Sequence, residues 1–107
     1  MAMIDRLIIE FDKALRAVFA PGRSVRAMPG GDLPEPGLAE IEKQHVAALM
    51  RVNHCGEICA QALYQGQALA SRDPAISAVL RHAATEEGEH LAWTERRLGE
   101  LGGGKSL

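Results

Sequence analysis

The chain has 107 residues, with 12 Lys and Arg residues against 14 Asp and Glu residues and a formal net charge of −2. This length corresponds to one small domain, and the near-neutral balance excludes a nucleic-acid-binding protein that neutralises phosphates with a basic stripe. Hydrophobic residues make up 47% of the chain but aromatic residues only 4%, which favours an all-α fold over a sheet. No apolar run approaches the ~18 residues that a membrane-spanning helix needs.

The first segment, residues 1–20, is predicted to contain an amphipathic helix. Within residues 3–19, apolar side chains recur at helical spacing, with basic side chains opposite. The apolar positions are Ile4, Leu7, Ile8, Phe11, Leu15 and Val18. Such a helix usually packs against a domain, and contact in the plane of a membrane is the alternative. Because Asp5, Glu10 and Asp12 interrupt it, we expect no secretory or transit peptide.

The second segment, residues 21–37, is predicted to be a linker rich in proline and glycine. Pro21 and Gly22 end the helical pattern, and no hydrophobic periodicity follows them. Periodicity returns in the third segment, residues 38–107, which is therefore predicted to be a separate helical unit.

This unit is predicted to be a helical hairpin. Apolar residues recur every three or four positions from Leu38 to about Ala70, and no proline interrupts them. Asp73 suits an N-cap and Pro74 suits the first position of the next helix, which runs to about Leu101. Three consecutive glycines then end it. Two long helices joined by a short turn pack antiparallel.

Each hairpin helix places an acidic residue on its apolar face. Glu57 lies on the centre line of one face, and Glu87 lies in the middle of the other with His90 beside it. The first face comprises Val46, Met50, Ala60, Tyr64 and Ala68, and the second comprises Ile76, Leu80, Ala83, Ala84, Leu91, Thr94, Leu98 and Leu101. The opposite face of the last helix is expected to be solvated, and it carries Arg81, Thr85, Glu89 and Arg96.

The facing carboxylates predict a metal site. Burying an unpaired carboxylate costs several kcal/mol or raises its pKa until it is neutral, and a cation removes that cost. Glu87 and His90 have the Glu-x-x-His spacing that converges on one metal, and Glu57 reaches it from the neighbouring helix. Oxygen-rich ligation with one imidazole suits iron or manganese better than structural zinc. The alternative is that Glu87 lies at the edge of the stripe and pairs with an arginine.

The remaining polar and aromatic candidates fit structural roles. Cys55 and Cys59 are expected to be small packing residues in a reducing cytosol, because two cysteines cannot form a disulfide framework. His54 is expected at the surface or beside the metal site rather than as a ligand. His45 and His82 are expected to face solvent. Tyr64 and Trp93 are expected in the core or at an interface.

Three runs carry a family resemblance: residues 51–57 (RVNHCGE), 60–67 (AQALYQGQ) and 86–94 (EEGEHLAWT). They resemble the demethoxyubiquinone hydroxylase family, which are ferritin-like di-iron monooxygenases of ubiquinone biosynthesis. Residues 5–12 (DRLIIEFD) and the Asp-Leu-Pro of the linker are also similar to bacterial members. The resemblance covers essentially the whole chain. Cys55 departs from it, because the family usually has alanine there.

The resemblance implies an activity and its cofactors. A centre of two iron ions, reduced by electrons derived from NADH or from the quinol itself, activates dioxygen and hydroxylates a prenylated methoxy-methyl-benzoquinol. Glu57, Glu87 and His90 match iron ligands of the family, with Glu87 as the bridging carboxylate. Family members lie peripherally on the cytoplasmic face of the bacterial inner membrane, where the isoprenoid substrate resides.

The chain contains half of the expected ligands. A ferritin-like di-iron centre needs a Glu from each of two helices and a Glu-x-x-His from each of two others, and one of each is present. One hypothesis is an N-terminal fragment of a longer enzyme. A second is a homodimer in which two hairpins rebuild four helices. A third is an inactive helical interaction module, and iron oxidation without an organic substrate is a further alternative activity.

Overall fold

Three α-helices make up the regular structure of residues 2–105, the part of the chain that the computed structural model describes. They are α1 (Met3–Phe19), α2 (Glu40–Ala70) and α3 (Pro74–Glu100), and this part contains no strand. The hairpin of α2 and α3 provides most of the contacts between helices, whereas α1 touches α2 at few positions. The prediction of an all-α fold, with a long helical hairpin after a short amphipathic helix, is confirmed.

The hairpin turn is fixed by hydrogen bonds at the start of α3. The Asp73 carboxylate accepts a hydrogen bond from the Ala75 backbone N–H at 2.9 Å, and Pro74 occupies the first helical position. The Ser77 hydroxyl donates to the backbone carbonyl of Ala68, at 3.1 Å, and so joins the two helices beside the turn. The predicted N-cap is therefore present, and it sets where α3 leaves α2.

The end of α3 is a glycine-terminated Schellman motif. Gly102 has φ +75°, a left-handed conformation that glycine adopts without a steric penalty. The Gly103 N–H donates to Leu98 O at 2.9 Å and the Gly102 N–H donates to Gly99 O at 3.1 Å. These bonds satisfy carbonyls that the helix leaves free, and they turn the chain back against α2.

The apolar core lies near this end of the hairpin. Leu98 is 1% exposed and is the most deeply buried apolar residue of the described part of the chain. The cluster around it consists of Ala47, Leu98 and Leu101, with Leu38, Val46 and Met50 partly buried against them. Ile76 was expected on the buried face of α3, but this expectation is wrong, because Ser77 occupies the interface and Ile76 is 53% exposed.

A buried histidine lies beside this core. Of the two positions expected for His54, at the surface or beside the metal site, the surface position is wrong, since the residue is only 1% exposed. Burial lowers the pKa of His54, because the charged imidazole loses hydration; Glu95 opposes this shift and Lys105 adds to it. Burial in the fold therefore favours the neutral form of His54.

The linker lies across α3 and buries part of a face that was expected to be solvated. The prediction of a solvated position for Glu89 is wrong: it is 9% exposed and forms an ion pair with Arg26 of the linker. The other attachments are Gly22 N–H to Glu95, Arg96 to Gly31 O and Arg97 to Glu35. At Gly22 the two backbones almost touch, because a Cβ placed there would lie 2.6 Å from Ala92 Cα.

Helix α1 directs its polar side toward the rest of the structure. Glu10, Lys13 and Ala17 line a groove between α1, the linker and the hairpin. The apolar side stays uncovered, with Ile8 60% exposed and Phe11 66% exposed. None of the helices in residues 2–105 is both long enough and apolar enough to cross a bilayer.

The buried His54 predicts a pH-dependent stability. Its pKa is below 6.5 in the folded chain, so the unfolded chain binds more protons below that pH. The stability that His54 contributes is complete above its unfolded pKa and is lost as the pH falls toward its folded pKa. We expect the free energy of unfolding in urea to fall between about pH 7 and pH 5, and His54→Gln to make this fall shallower.

The matched control is His45→Gln, which changes an exposed histidine on the same helix and should keep the wild-type slope. An unchanged slope in His54→Gln would contradict the prediction.

Candidate metal centre

Three side chains from the middle of the hairpin form the candidate site. Glu57 projects from α2, and Glu87 and His90 project from α3. The spacing of three residues puts Glu87 and His90 on one face of α3, one turn apart, and that face turns toward Glu57. The structure thus brings together the three residues that were predicted from the sequence to be metal ligands. That they bind a metal stays a prediction.

The three ligand atoms point to one place. His90 Nδ1 lies 3.2 Å from Glu87 Oε2 and 3.4 Å from Glu57 Oε2. One ligand atom from each residue lies within 4.8 Å of the other two. The side chains are partly buried, with exposed fractions of 21% for Glu57, 15% for Glu87 and 36% for His90. Water and a small cation can therefore reach the site from one side.

The site concentrates negative charge. Burial raises the pKa of Glu57, and hydrogen bonding with Glu87 and the negative charge of Glu87 raise it further, while His90 acts in the opposite direction. Partial burial makes the repulsion between the two carboxylates stronger than it is in water. A divalent cation placed between the three ligand atoms would offset the repulsion between the two carboxylates, so the donor set fits a metal ion.

The alternative for Glu87, a salt bridge to an arginine, does not occur in the described residues, where its ion pair is with His90. Within residues 2–105, this is the one group of three or more His, Cys, Asp or Glu side chains with metal-ligand geometry. The two cysteines take no part in it, but the expectation that they are packing residues is wrong, because both are exposed. His45 and His82 are exposed, as predicted.

Two neighbours of the site were not assigned to it from the sequence. The Trp93 ring lies against the His90 ring, with centroids 5.5 Å apart and planes at 43°. The spacing of three residues on one helix was a signal that could have paired them. Arg26 reaches over Trp93 from the linker, with its guanidinium carbon 5.3 Å from the ring centroid. No pattern in the sequence indicates a contact between residues this far apart.

Comparisons with known proteins identify the relatives of this chain. The family model described as "Ubiquinone biosynthesis protein COQ7" matches residues 44–107. The "3-demethoxyubiquinol 3-hydroxylase" of Laribacter hongkongensis is 65% identical over 105 residues, which are 98% of this chain and 51% of that protein. The protein of the same name from Dechloromonas aromatica is 67% identical over 103 residues, 96% of this chain and 50% of the relative. The chain thus spans about half the length of the curated relatives it matches. No solved structure matches it.

Removing one carboxylate should have opposite effects with and without metal. Without metal, Glu57→Gln relieves the repulsion and burial cost that raise the pKa of Glu57, so we expect a higher unfolding midpoint than wild type at about pH 7. With saturating Mn²⁺, the wild type should gain stability and Glu57→Gln should gain less, because a ligand is lost. Thermal unfolding followed by circular dichroism, in chelator and in Mn²⁺, measures both effects.

Glu86→Gln is the control, because Glu86 lies beside the site in sequence but pairs with the exposed His82. Glu86→Gln should shift the unfolding midpoint less than Glu57→Gln does, both in chelator and in Mn²⁺. A lower midpoint for Glu57→Gln in chelator would contradict the prediction.

Proposed function

The chain belongs to the family of the ubiquinone biosynthesis protein COQ7, and we propose that it supplies one half of a di-iron 3-demethoxyubiquinol 3-hydroxylase. The observation that carries this proposal is the convergence of Glu57, Glu87 and His90 on one point. The substrate would be a prenylated methoxy-methyl-benzoquinol, and the co-substrate would be dioxygen.

The donor set supports iron. Two carboxylates and one imidazole are ligands that suit iron, and the Glu-x-x-His pair is a recurring element of di-iron carboxylate bundles. The bound irons would supply the redox chemistry by which dioxygen is activated and one oxygen atom enters the quinol ring. The reducing electrons would derive from NADH or from the quinol.

The protein side chains hold and shape this centre. Glu87 is the proposed bridging carboxylate, as the family resemblance implies, and it is the less exposed of the two acids. Glu57 would bind from α2 and fix the distance between the two helices. His90 would bind through Nδ1, the ring nitrogen that faces both carboxylates.

The remaining ligands must come from outside residues 2–105. A complete centre of this type draws on four helices, and the described hairpin supplies two. We propose that a second helical pair, from the rest of a longer protein of the relatives' length, provides the other Glu and the other Glu-x-x-His. The partial exposure of His90 leaves room for that pair on the ligand face. A second copy of the hairpin is the alternative source.

The proposed enzyme works at a membrane, and α1 is the proposed contact. Its apolar side is exposed while its polar side lines the groove against the hairpin, which is the orientation of a helix lying in the bilayer interface. Such a contact would bring the hairpin to the layer where a prenylated substrate partitions. We propose the cytoplasmic face of the bacterial inner membrane as the location.

The hydroxylase role is tested in a bacterium that lacks the enzyme. We expect ubiquinone to return when the chain is produced together with the half of the Laribacter hongkongensis relative that it does not match. Glu87→Gln should abolish this rescue, because a bridging ligand is lost, and Glu86→Gln should preserve it. Quinone extraction and chromatography measure the product. Full rescue by Glu87→Gln would refute the proposed ligand role.

The same bacterial strain distinguishes a second helical pair from a second copy of the chain as the source of the missing ligands. Rescue by the chain alone, with twice the chain mass in light scattering, would favour the two-copy arrangement over a second helical pair from a longer protein.

The membrane contact is tested with vesicles of mixed neutral and anionic phospholipids. We expect the chain to co-sediment with them, and the double variant Ile8→Glu with Phe11→Glu to stay in the supernatant, because two charges enter the apolar side of α1. Val25→Glu is the matched control, since Val25 is apolar, 98% exposed and outside α1. Equal binding of the double variant and the wild type would rule out α1 as the contact.

A further inference from the structure

Arg26 joins the linker to the helix that carries two of the three candidate ligands. Its guanidinium forms an ion pair with Glu89 and lies over the ring of Trp93, 5.3 Å from the centroid. Glu89 precedes His90 in the sequence, and the Trp93 ring lies against the His90 ring. One linker side chain therefore contacts two residues that lie beside a candidate ligand.

The ion pair anchors Arg26 at a defined position. The Glu89 side chain is 11% exposed, and a carboxylate this buried needs a counter-charge to offset its lost hydration. Arg26 supplies that charge from a side chain that is itself 56% exposed. The pairing fixes the guanidinium close to α3, where its plane is available to an aromatic ring.

Trp93 has no other polar contact that would fix its orientation. Its buried Nε1 has no hydrogen-bond partner among the described residues. The indole therefore depends on packing, with Arg26 as one neighbour and the His90 ring, 5.5 Å away, as another. Because the two rings lie side by side, a change in the orientation of the indole would change the packing around the imidazole.

The orientation of a ligating histidine usually depends on a neighbour that holds the ring. The hydrogen bond between His90 and Glu87 uses Nδ1 of the imidazole, and the same nitrogen also faces Glu57. We propose that Arg26 is a positioning residue for His90, and that it acts by holding Trp93 against the imidazole ring. This inference rests on the proposed metal centre, and it makes the linker a functional part of that centre.

A purely electrostatic role for Arg26 predicts different behaviour. Lysine at position 26 keeps a positive charge for Glu89 but lacks the planar guanidinium that stacks on an indole. A role limited to neutralising Glu89 would be fully restored by Arg26→Lys. Positioning through Trp93 would be restored only in part.

The experiment compares ferrous iron binding by the whole chain and its variants under anaerobic conditions, by competition with a coloured chelator. We expect Arg26→Gln to weaken binding about tenfold and Arg26→Lys to recover only part of that loss. Arg97→Gln is the matched control, because Arg97 ties Glu35 of the same linker to α3 at 2.7 Å, whereas the guanidinium that lies over the Trp93 ring is that of Arg26. It should keep wild-type iron affinity.

A second readout needs no metal. Trp93 is the only tryptophan in the chain, so its emission reports on this position alone. The fluorescence anisotropy decay should show more local motion of the indole in Arg26→Gln than in the wild type or in Arg97→Gln. Circular dichroism verifies that the variants keep the helical content of the wild type.

A double-variant cycle tests whether the effect passes through Trp93. Once Trp93→Leu has removed the ring, Arg26→Gln should cause no further loss of iron affinity. Additive losses would overturn the route through Trp93. Wild-type affinity in Arg26→Gln, full recovery in Arg26→Lys or unchanged indole motion would overturn the positioning role.

The metal centre and the positioning role of Arg26 are tested by different comparisons, the first by iron binding in the wild type and the second by the difference between the wild type and the Arg26 variants. A wild-type chain that binds no ferrous iron would overturn the metal centre and this inference together. Should Arg26→Gln fail to fold, Arg26→Lys carries the test alone, because it retains the charge that Glu89 needs; iron affinity below wild type supports the inference and equal affinity overturns it.

Discussion

The hairpin is organised around two carboxylates that face each other across one helix interface. Glu57 and Glu87 are close enough that Glu87 raises the pKa of Glu57, and both side chains are partly withdrawn from water. An interface with this charge at its centre cannot close as an apolar seam. The apolar cluster around Leu98 lies at one end of the hairpin, and in the middle the two carboxylates and His90 face one another between the helices. The fold therefore provides a binding site at the expense of its own packing.

The linker compensates for part of this cost on the other side of α3. Its contacts extend from Gly22 to Glu35 and cover a helix face that would otherwise meet water. Among them, the pairing of Arg26 with Glu89 is the most buried. A segment without regular structure thus stabilises the helix that carries Glu87 and His90, and the site depends on residues that are distant in sequence.

The sequence was informative wherever structure follows from local spacing. The 3.6-residue period placed the helices and brought Glu57, Glu87 and His90 to one interface, and Asp73 and the glycines after α3 marked its two ends. It failed where a third element decides the surroundings. Glu89 belongs to a polar face by periodicity and is buried only because Arg26 pairs with it. It also failed where a polar contact within the hairpin decides the register: Ser77 takes the interface position expected for Ile76, because its hydroxyl donates to Ala68 O of α2.

The close approach at Gly22 makes the arrangement intolerant of a single added carbon. A Cβ at position 22 would meet Ala92 Cα at 2.6 Å and Ala92 N at 2.9 Å, and both are backbone atoms of a helix that cannot move aside. Any other residue would lift the linker from α3, and Arg26 is only four residues further along the chain. Mutational tolerance should therefore be lowest where there is no side chain at all. Natural or laboratory selection for the metal centre would preserve Gly22 as strictly as a ligand, although no functional group resides there.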